Sequence, residues 1–258
     1  MDETTFGRSV TVALDHGLHW GVCEGFEDPG ETLDLVLDAD PDGILASVPF
    51  LRCYRERLNA ANVHAIATLD VLYDSTFPGD HEDAEIHSQV FSAEAAAAVA
   101  DAAKVALVYG REDPAVLQGN VEFVARAAEA CRDAGIPLVV EPTLWGHRAE
   151  EEFDPEYLAH ANRLAFELGA DILKSPHPAE GFDRIAANAP QPLYIAGGPA
   201  ADRDREVLDM VQGACEAGAL GVMFGRNVWQ RDDPAAMIDA LSAIVHDDAA
   251  ADEAEMHL

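Results

Sequence analysis

The stretch Gly169-Ala170-Asp171-Ile172-Leu173-Lys174-Ser175-Pro176 places a lysine at the end of a short apolar strand. Its first glycine is typical of the turn between a preceding helix and this strand. The chain has only one other lysine, Lys104, whereas fourteen basic residues are arginines. Desolvation favours the neutral amine of a buried lysine, which can attack a carbonyl and form a Schiff base. The alternative is a structural lysine whose ammonium group reaches solvent.

Short apolar runs like this one alternate with helical patterns along the chain. The predicted strands are 10–14, 43–48, 64–69, 105–109, 138–141, 171–174, 193–196 and 221–224. The predicted helices are 31–38, 50–60, 88–103, 121–134, 155–168, 181–188, 203–217 and 234–246. Eight such repeats predict a single α/β domain, a (β/α)8 TIM barrel over residues 1–246. A doubly wound sheet is the alternative, but neither G-x-G-x-x-G nor a P-loop is present.

The composition is strongly acidic. The chain has 48 Asp and Glu against 16 Lys and Arg, which gives a net charge of −32. Such a charge repels phosphate backbones and anionic lipid headgroups, so we expect no nucleic-acid or membrane partner. Acidic self-repulsion is screened at high ionic strength, and the composition therefore predicts a protein of a halophile's cytoplasm. Residues 247–258 lack apolar periodicity and are predicted to form a disordered acidic tail.

Cysteine spacing and hydropathy argue against several further classes of protein. The four cysteines lie far apart, without a C-x-x-C pair, so neither a zinc ribbon nor a disulfide framework is predicted. The first residues lack the pattern of a signal peptide, and no apolar run approaches the roughly 18 residues of a membrane span. We expect a cytoplasmic protein.

Catalytic groups of a barrel come from the carboxyl ends of its strands. Asp15 ends the first predicted strand, Glu141 the fifth and Lys174 the sixth. A Schiff-base reaction needs an amine and a carboxylate that moves protons, which these residues would supply. Asp15 could instead cap a loop. A structural pair with an arginine is the competing interpretation of Glu141.

Two glycine-containing loops indicate a phosphate site. Gly197-Gly198 follows the seventh predicted strand and Gly225-Arg226 the eighth. Backbone N–H groups of these loops commonly hold phosphate in barrels, glycine permits close approach, and arginine adds donors. The alternative is tight turns with a surface arginine.

A metal site is a weaker hypothesis. His16 and His19 stand three residues apart, and His81 and His87 lie in a long acidic loop with Glu82 and Glu85. No H-E-x-x-H or comparable ligand pattern occurs, so we predict neither a metal nor another cofactor.

Four segments resemble the archaeal-type class I aldolases of the deoxyribose-phosphate and fructose-bisphosphate aldolase superfamily. They are Asp15-His16-Gly17, Asp171-Ile172-Leu173-Lys174, Ala196-Gly197-Gly198-Pro199 and Gly225-Arg226-Asn227-Val228-Trp229-Gln230. The similarity spans almost the whole chain in the same order. It implies a Schiff base on Lys174, proton transfer assisted by Asp15, and a substrate phosphate held by both glycine loops and Arg226. The resemblance also implies a homo-oligomer.

The chain departs from this family at the fifth strand. Archaeal fructose-bisphosphate aldolases usually carry a tyrosine proton donor there, within an aromatic-Met-Tyr-Pro-Arg-Gly-like run. This chain has Glu141-Pro142-Thr143-Leu144-Trp145-Gly146, and a threonine hydroxyl is too weak an acid to replace tyrosine. Glu141 is the first candidate for the proton donor, as in relatives of the superfamily with a glutamate on this strand. Tyr109 is the second candidate, followed by His16.

These features predict an aldehyde-lyase that cleaves a ketose 1-phosphate to dihydroxyacetone phosphate and an aldehyde. The substrate would be fructose 1,6-bisphosphate or a shorter sugar phosphate such as ribulose 1-phosphate. Within the resemblance, the alternative is a transaldolase-like 2-amino-3,7-dideoxy-D-threo-hept-6-ulosonate synthase of aromatic amino-acid biosynthesis. A metal-dependent barrel, or one that binds phosphate without turnover, is the alternative of another class.

Overall fold

The computed structural model describes residues 7–73, 86–110, 114–145 and 152–258, in which parallel strands close into a barrel. In chain order the strands are β1 (Ser9–Ala13), β2 (Gly43–Ser47), β3 (His64–Thr68), β4 (Asp70–Tyr73), β5 (Ile86–Gln89), β6 (Ala102–Val108), β7 (Leu138–Thr143), β8 (Ile172–Pro176), β9 (Leu193–Ala196) and β10 (Gly221–Phe224). Around the barrel the order is β1-β2-β3-β6-β7-β8-β9-β10, and β4 and β5 form a separate antiparallel hairpin. The predicted (β/α)8 barrel is confirmed.

Helices between the strands cover the outside of the barrel. They are α1 (His16–Trp20), α2 (Pro29–Leu37), α3 (Val48–Cys53), α4 (Arg55–Ala61), α5 (Ala93–Ala97), α6 (Pro114–Ala134), α7 (Pro155–Glu167), α8 (Phe182–Asn188), α9 (Asp204–Glu216), α10 (Arg226–Trp229), α11 (Pro234–Asp247) and α12 (Ala251–Ala254). Five begin at a residue whose side chain accepts a hydrogen bond from a backbone N–H of the first turn: Asp28, Ser47, Ser92, Asp154 and Asp233. Such caps stabilise a helix start by about 1 kcal/mol.

Apolar side chains fill the inside of the barrel towards the amino ends of its strands, and we call this cluster the apolar plug. Each of the eight barrel strands contributes one residue: Ala13, Leu45, Ile66, Ala102, Val139, Ile172, Tyr194 and Met223. Successive residues of a strand point to opposite faces, so the residue two positions later on each strand also faces inward, one layer nearer the carboxyl rim. This layer is where the polar side chains of the site lie.

Aspartates tie neighbouring strands together at the amino end of the barrel. The carboxylate of Asp42 accepts a hydrogen bond from the backbone N–H of Val10 at 2.7 Å. Asp101 accepts from Ala65 at 2.9 Å. Each aspartate directly precedes one strand and bonds to the neighbouring strand that comes before it in the barrel, which satisfies a backbone donor there.

The prediction of one helix over residues 88–103 is wrong. It contains the end of β5, the short helix α5 and the start of β6. Alanine is the best helix former, but Ala102 and Ala103 are fully buried in a strand because packing on both sides overrides propensity. The helix predicted over 50–60 is divided at Tyr54 into α3 and α4.

The acidic tail, predicted to be disordered, is ordered by its alanines. Helix α11 extends to Asp247, and α12 follows with Ala251 and Ala254 fully buried. The Nη1 atom of Arg205 also lies 3.1 Å from the Glu255 carboxylate. The small side chains allow α12 to pack closely against α9 and α11. The prediction of disorder for residues 247–258 is therefore wrong. No helix in the described parts of the chain has the length and apolarity needed to cross a membrane.

Candidate active site

Two buried lysines share one carboxylate at the carboxyl end of the barrel. The Oε1 atom of Glu141 lies 3.0 Å from the Lys174 Nζ, and its Oε2 lies 2.8 Å from the Lys104 Nζ. All three residues are buried, with at most 9 % of their surface exposed. Their charged ends line a cavity that opens at the carboxyl rim.

The alternation of side chains along each strand explains why the two lysines and Glu141 lie together. Lys104, Glu141 and Lys174 each come two residues after a member of the apolar plug, on the neighbouring strands β6, β7 and β8. In the β-ladder Lys104 is paired with Val139, and Val140 with Leu173. The three side chains therefore point inward in one layer directly above the plug.

The electrostatics of this cluster favour an ionised Glu141 beside a charged Lys104. Burial opposes ionisation of Glu141, but the two lysines outweigh it and lower its pKa to about 2. Burial also opposes the charged form of Lys104, yet Glu141, Asp15 and Asp70 raise its pKa above the usual value. Lys104 is therefore a permanent ammonium group at neutral pH.

Asp15 faces the same cavity from β1, on the opposite side of the barrel from β7. Its Oδ2 accepts a hydrogen bond from the Thr68 hydroxyl at 2.7 Å, and the Nε2 of His19 lies 3.8 Å away. Burial opposes its ionisation, but His19 and the Lys104 ammonium outweigh it and hold its pKa well below the ordinary range. Asp15 is a fixed carboxylate.

His16 is the neutral imidazole of the site. Burial lowers its pKa to about 3, and the positive charges of Arg226 and Lys174 act in the same direction against the attraction of Asp15. The ring packs edge to face with Trp20, at a centroid distance of 5.0 Å. Its Nδ1 is buried without a hydrogen-bond partner among the described residues. His16 therefore offers a polar atom, not a charge, to a bound molecule.

The two glycine loops lie beside Lys174 on β9 and β10. Gly198 has a φ of +64°, the left-handed conformation that glycine adopts without strain. A side chain at Gly225 would collide with the His16 ring. The Arg226 guanidinium donates to the Gly198 carbonyl at 3.0 Å, and its Cζ lies 4.9 Å from the centre of the Trp20 ring. These contacts hold one arginine over a glycine-lined recess, a suitable site for phosphate.

The structure brings together most of the predicted site residues. One cavity is lined by Asp15, His16, Glu141, Lys174, Gly197, Gly198, Gly225 and Arg226. Tyr109 is not among them: it follows β6 on the face opposite to Lys104 and packs half-buried against the outer core. Sequence reasoning assigned no role to Lys104, although its rarity and the inward alternation of Ala102, Lys104 and Ala106 could have indicated one.

Of the histidines in the metal hypothesis, His87 lies in a separate hydrogen-bonded network, away from His16 and His19. The His87 Nε2 lies 2.6 Å from the Asp70 carboxylate, and its Nδ1 accepts from the Asn120 amide at 2.6 Å. His81, Glu82 and Glu85 lie outside the described residues. Within the described ranges there is no group of three or more His, Cys, Asp or Glu side chains that could hold a metal ion.

Comparisons with known proteins agree with this geometry. The chain is 31 % identical to the class 1 fructose-bisphosphate aldolase of Halobacterium salinarum, over 96 % of this chain and 94 % of the relative. It is 32 % identical to the 2-amino-3,7-dideoxy-D-threo-hept-6-ulosonate synthase of the same species, over 95 % and 89 %. An archaeal fructose-1,6-bisphosphate aldolase, solved with its catalytic lysine bound to the carbinolamine of the substrate, superposes with a TM-score of 0.80 at 29 % identity, covering 93 % and 94 %.

The sequence also matches the family model described as "DeoC/LacD family aldolase" over residues 9–231. This range includes every strand of the barrel and both glycine loops. With a barrel fold, a buried lysine pair and this match, the chain belongs to the DeoC/LacD family of aldolases.

Proposed function

We propose that the protein is a class I aldolase that cleaves a ketose 1-phosphate to dihydroxyacetone phosphate and an aldehyde through a Schiff base on Lys174. The observation that carries the proposal is the single carboxylate of Glu141 between Lys174 and Lys104, beside two phosphate-type loops. Such a carboxylate can take and return protons at an amine while the second lysine keeps it ionised.

The two lysines have different roles. Lys174 is the nucleophile because it lies on β8, beside β9, and close to the two loops after β9 and β10 that would hold the substrate phosphate. Lys104, on β6, lies two strands further from these loops and is kept protonated by the surrounding carboxylates. An ammonium group cannot attack a carbonyl, so Lys104 serves as a fixed positive charge.

The reaction begins when the Lys174 amine attacks C2 of the ketose. Glu141 accepts the proton that the nitrogen releases and passes it to the C2 oxygen, which gives the carbinolamine. A second proton, taken up from solvent, lets the C2 hydroxyl leave as water and forms the iminium. The C3–C4 bond then breaks as the C4 hydroxyl proton passes to the Asp15 carboxylate. The electron pair of that bond moves to C3 and is stabilised as the enamine. Protonation of C3 and hydrolysis release dihydroxyacetone phosphate.

The glycine loops fix the substrate for this cleavage. A phosphate held by Gly197, Gly198 and Arg226 would place C2 near Lys174 and direct the rest of the chain towards β7 and β6. Such positioning lowers the entropy barrier of the reaction, since the breaking bond is aligned with the imine before chemistry begins.

Borohydride trapping tests the proposal. Reduction in the presence of dihydroxyacetone phosphate is expected to fix an adduct on Lys174 and to abolish cleavage. Peptide mass spectrometry is unambiguous because the chain has only two lysines. Lys104→Arg is the matched control: it keeps the positive charge, and the adduct should still form on Lys174. An adduct on Lys104, or none combined with chelator-sensitive activity, would overturn the Schiff-base mechanism at Lys174.

The 32 % identical heptulosonate synthase supports a second candidate substrate for the same amine. A transaldolase-like enzyme would pass the enamine carbons to a second carbonyl compound rather than release dihydroxyacetone phosphate. Cleavage assays with ketose phosphates of four to seven carbons, with and without an added acceptor, separate the two. Product that forms only with an acceptor favours the synthase.

A further inference from the structure

Thr143 carries a buried hydroxyl that nothing in the described part of the chain binds. Its side chain is 1 % exposed and lines the active-site cavity together with Lys174. The Oγ1 atom has no hydrogen-bond partner among the described residues. An unsatisfied buried hydroxyl costs about 1–3 kcal/mol, so a partner supplied by a ligand would remove a real penalty.

The position of this hydroxyl relates it to the catalytic layer. Thr143 is the last residue of β7 and comes two residues after Glu141, so both side chains point into the barrel. Trp145, two residues further, lines the mouth of the cavity. Along β7 the cavity therefore presents first a carboxylate at the reacting carbons, then a hydroxyl, then an aromatic ring.

The path of the substrate leads to this hydroxyl. The glycine loops follow β9 and β10, Lys174 lies on β8, and β7 comes next around the barrel. A ketose phosphate anchored at the loops, with C2 at Lys174, extends its remaining carbons towards β7. With C3 and C4 at the level of Glu141, the next carbon would face Thr143, one layer nearer the rim.

We propose that Thr143 is a specificity-determining residue that binds a hydroxyl group on the aldehyde half of the substrate, at the carbon next to the one that becomes the aldehyde. The inference rests on the proposed aldolase function and assigns to one residue a preference for α-hydroxyaldehydes over aldehydes that lack this hydroxyl. A threonine hydroxyl both donates and accepts, so it matches a substrate hydroxyl of either orientation. Replacement by an apolar group of the same shape should therefore remove a preference rather than the fold.

Acceptor selectivity in the condensation direction tests the role. Wild type and Thr143→Val are compared with dihydroxyacetone phosphate and either glycolaldehyde or acetaldehyde, which differ by one hydroxyl. The ratio of the two kcat/KM values should favour glycolaldehyde in the wild type and fall about 10-fold in Thr143→Val, the value of one neutral hydrogen bond. Thr143→Ser, which keeps the hydroxyl, should restore most of the ratio.

Two readouts separate the possible failures. Thr143→Val should unfold at the same or a higher temperature than the wild type, because valine fits the strand and removes an unpaired polar atom. A ratio within about twofold of the wild type in Thr143→Val, with normal folding, overturns the inference. If no borohydride adduct forms in the wild type, the aldolase proposal fails first; if the adduct forms and the ratio stays constant, only the role of Thr143 fails.

Discussion

Lys104 places a fixed positive charge beside Glu141. The Glu141 carboxylate contacts Lys104 at 2.8 Å and Lys174 at 3.0 Å, and Glu141, Asp15 and Asp70 together raise the pKa of Lys104. Burial opposes the charge on Lys104, and the surrounding carboxylates overcome it. In the proposed mechanism, one oxygen of Glu141 is held by the Lys104 ammonium group while the other exchanges protons with Lys174.

Replacement of Glu141 by glutamine tests this role directly. The amide keeps the size of the side chain but neither accepts a proton nor balances the Lys104 ammonium group. We expect kcat to fall by about 10²–10⁴-fold, the usual contribution of a general acid or base. Rapid-quench borohydride trapping should show slower adduct formation at Lys174. Activity within a few-fold of the wild type would assign Glu141 a structural role.

The pH dependence of stability follows from the same carboxylate. Its pKa is about 2 in the folded protein against an ordinary 4.5, because the lysines outweigh burial. A lowered pKa stabilises the fold fully above pH 4.5, and this stabilisation is lost as the pH falls towards 2. The difference in unfolding free energy between wild type and Glu141→Gln should therefore be constant near neutral pH and shrink below 4.5. Denaturant titrations at several pH values measure it; a gap independent of pH contradicts the assignment.

At the scale of elements, the hairpin of β4 and β5 is fixed to the barrel by a buried network. Asp70 is fully buried and accepts a hydrogen bond from the backbone N–H of Ala106, on the strand that carries Lys104, at 2.7 Å. His87 on β5 lies 2.6 Å from the same oxygen, and Asn120 of α6 donates to His87. The network thus joins the hairpin, the wall of the site and an outer helix.

A pair of histidine substitutions measures what this network contributes. His87→Ala leaves the buried Asp70 carboxylate without its side-chain donor and should cost about 3 kcal/mol, as expected for a broken buried pair. His64→Ala is the matched control: the His64 Nδ1 lies 3.9 Å from Asp101, both side chains are about half exposed, and the cost should stay below about 1 kcal/mol. Urea unfolding gives both values, and equal losses would contradict a special role for the buried network.

Strand β6, to which the hairpin is bonded, is the element whose start the sequence pattern does not predict correctly. The segment 88–103 is rich in alanine, and its helical propensity concealed the strand that begins at Ala102. Lys104 was therefore placed outside any strand and given no direction, although inward alternation with Ala102 and Ala106 follows once the strand is known. Propensity is a local quantity, whereas burial on both faces of β6 is decided by the rest of the barrel.

At the scale of the whole molecule, the barrel could be predicted because its signal is repeated. Each strand–helix unit adds an independent instance of the same pattern, and glycines such as Gly135, Gly169 and Gly218 mark the turns before strands. The place of the two glycine loops at the cavity could be predicted for the same reason, since it is set by strand order. Side-chain contacts between strands, such as the ion pair of Glu141 with Lys104, depend on how β6 and β7 are aligned with each other. The sequence of neither strand alone determines this alignment.

The whole-molecule charge predicts how stability responds to salt. With 48 acidic and 16 basic residues, the folded surface repels itself, and this repulsion acts over about 10 Å at 0.1 M salt but only about 3 Å at 1 M. We expect the thermal midpoint to rise by about 10 °C between low salt and 2 M KCl, at roughly 2–4 °C per kcal/mol. Sucrose, which stabilises folded proteins without screening charge, is the control and should give a smaller rise at low salt. An unfolding temperature that is the same in dilute buffer and in 2 M KCl would show that charge repulsion does not limit the stability of this fold.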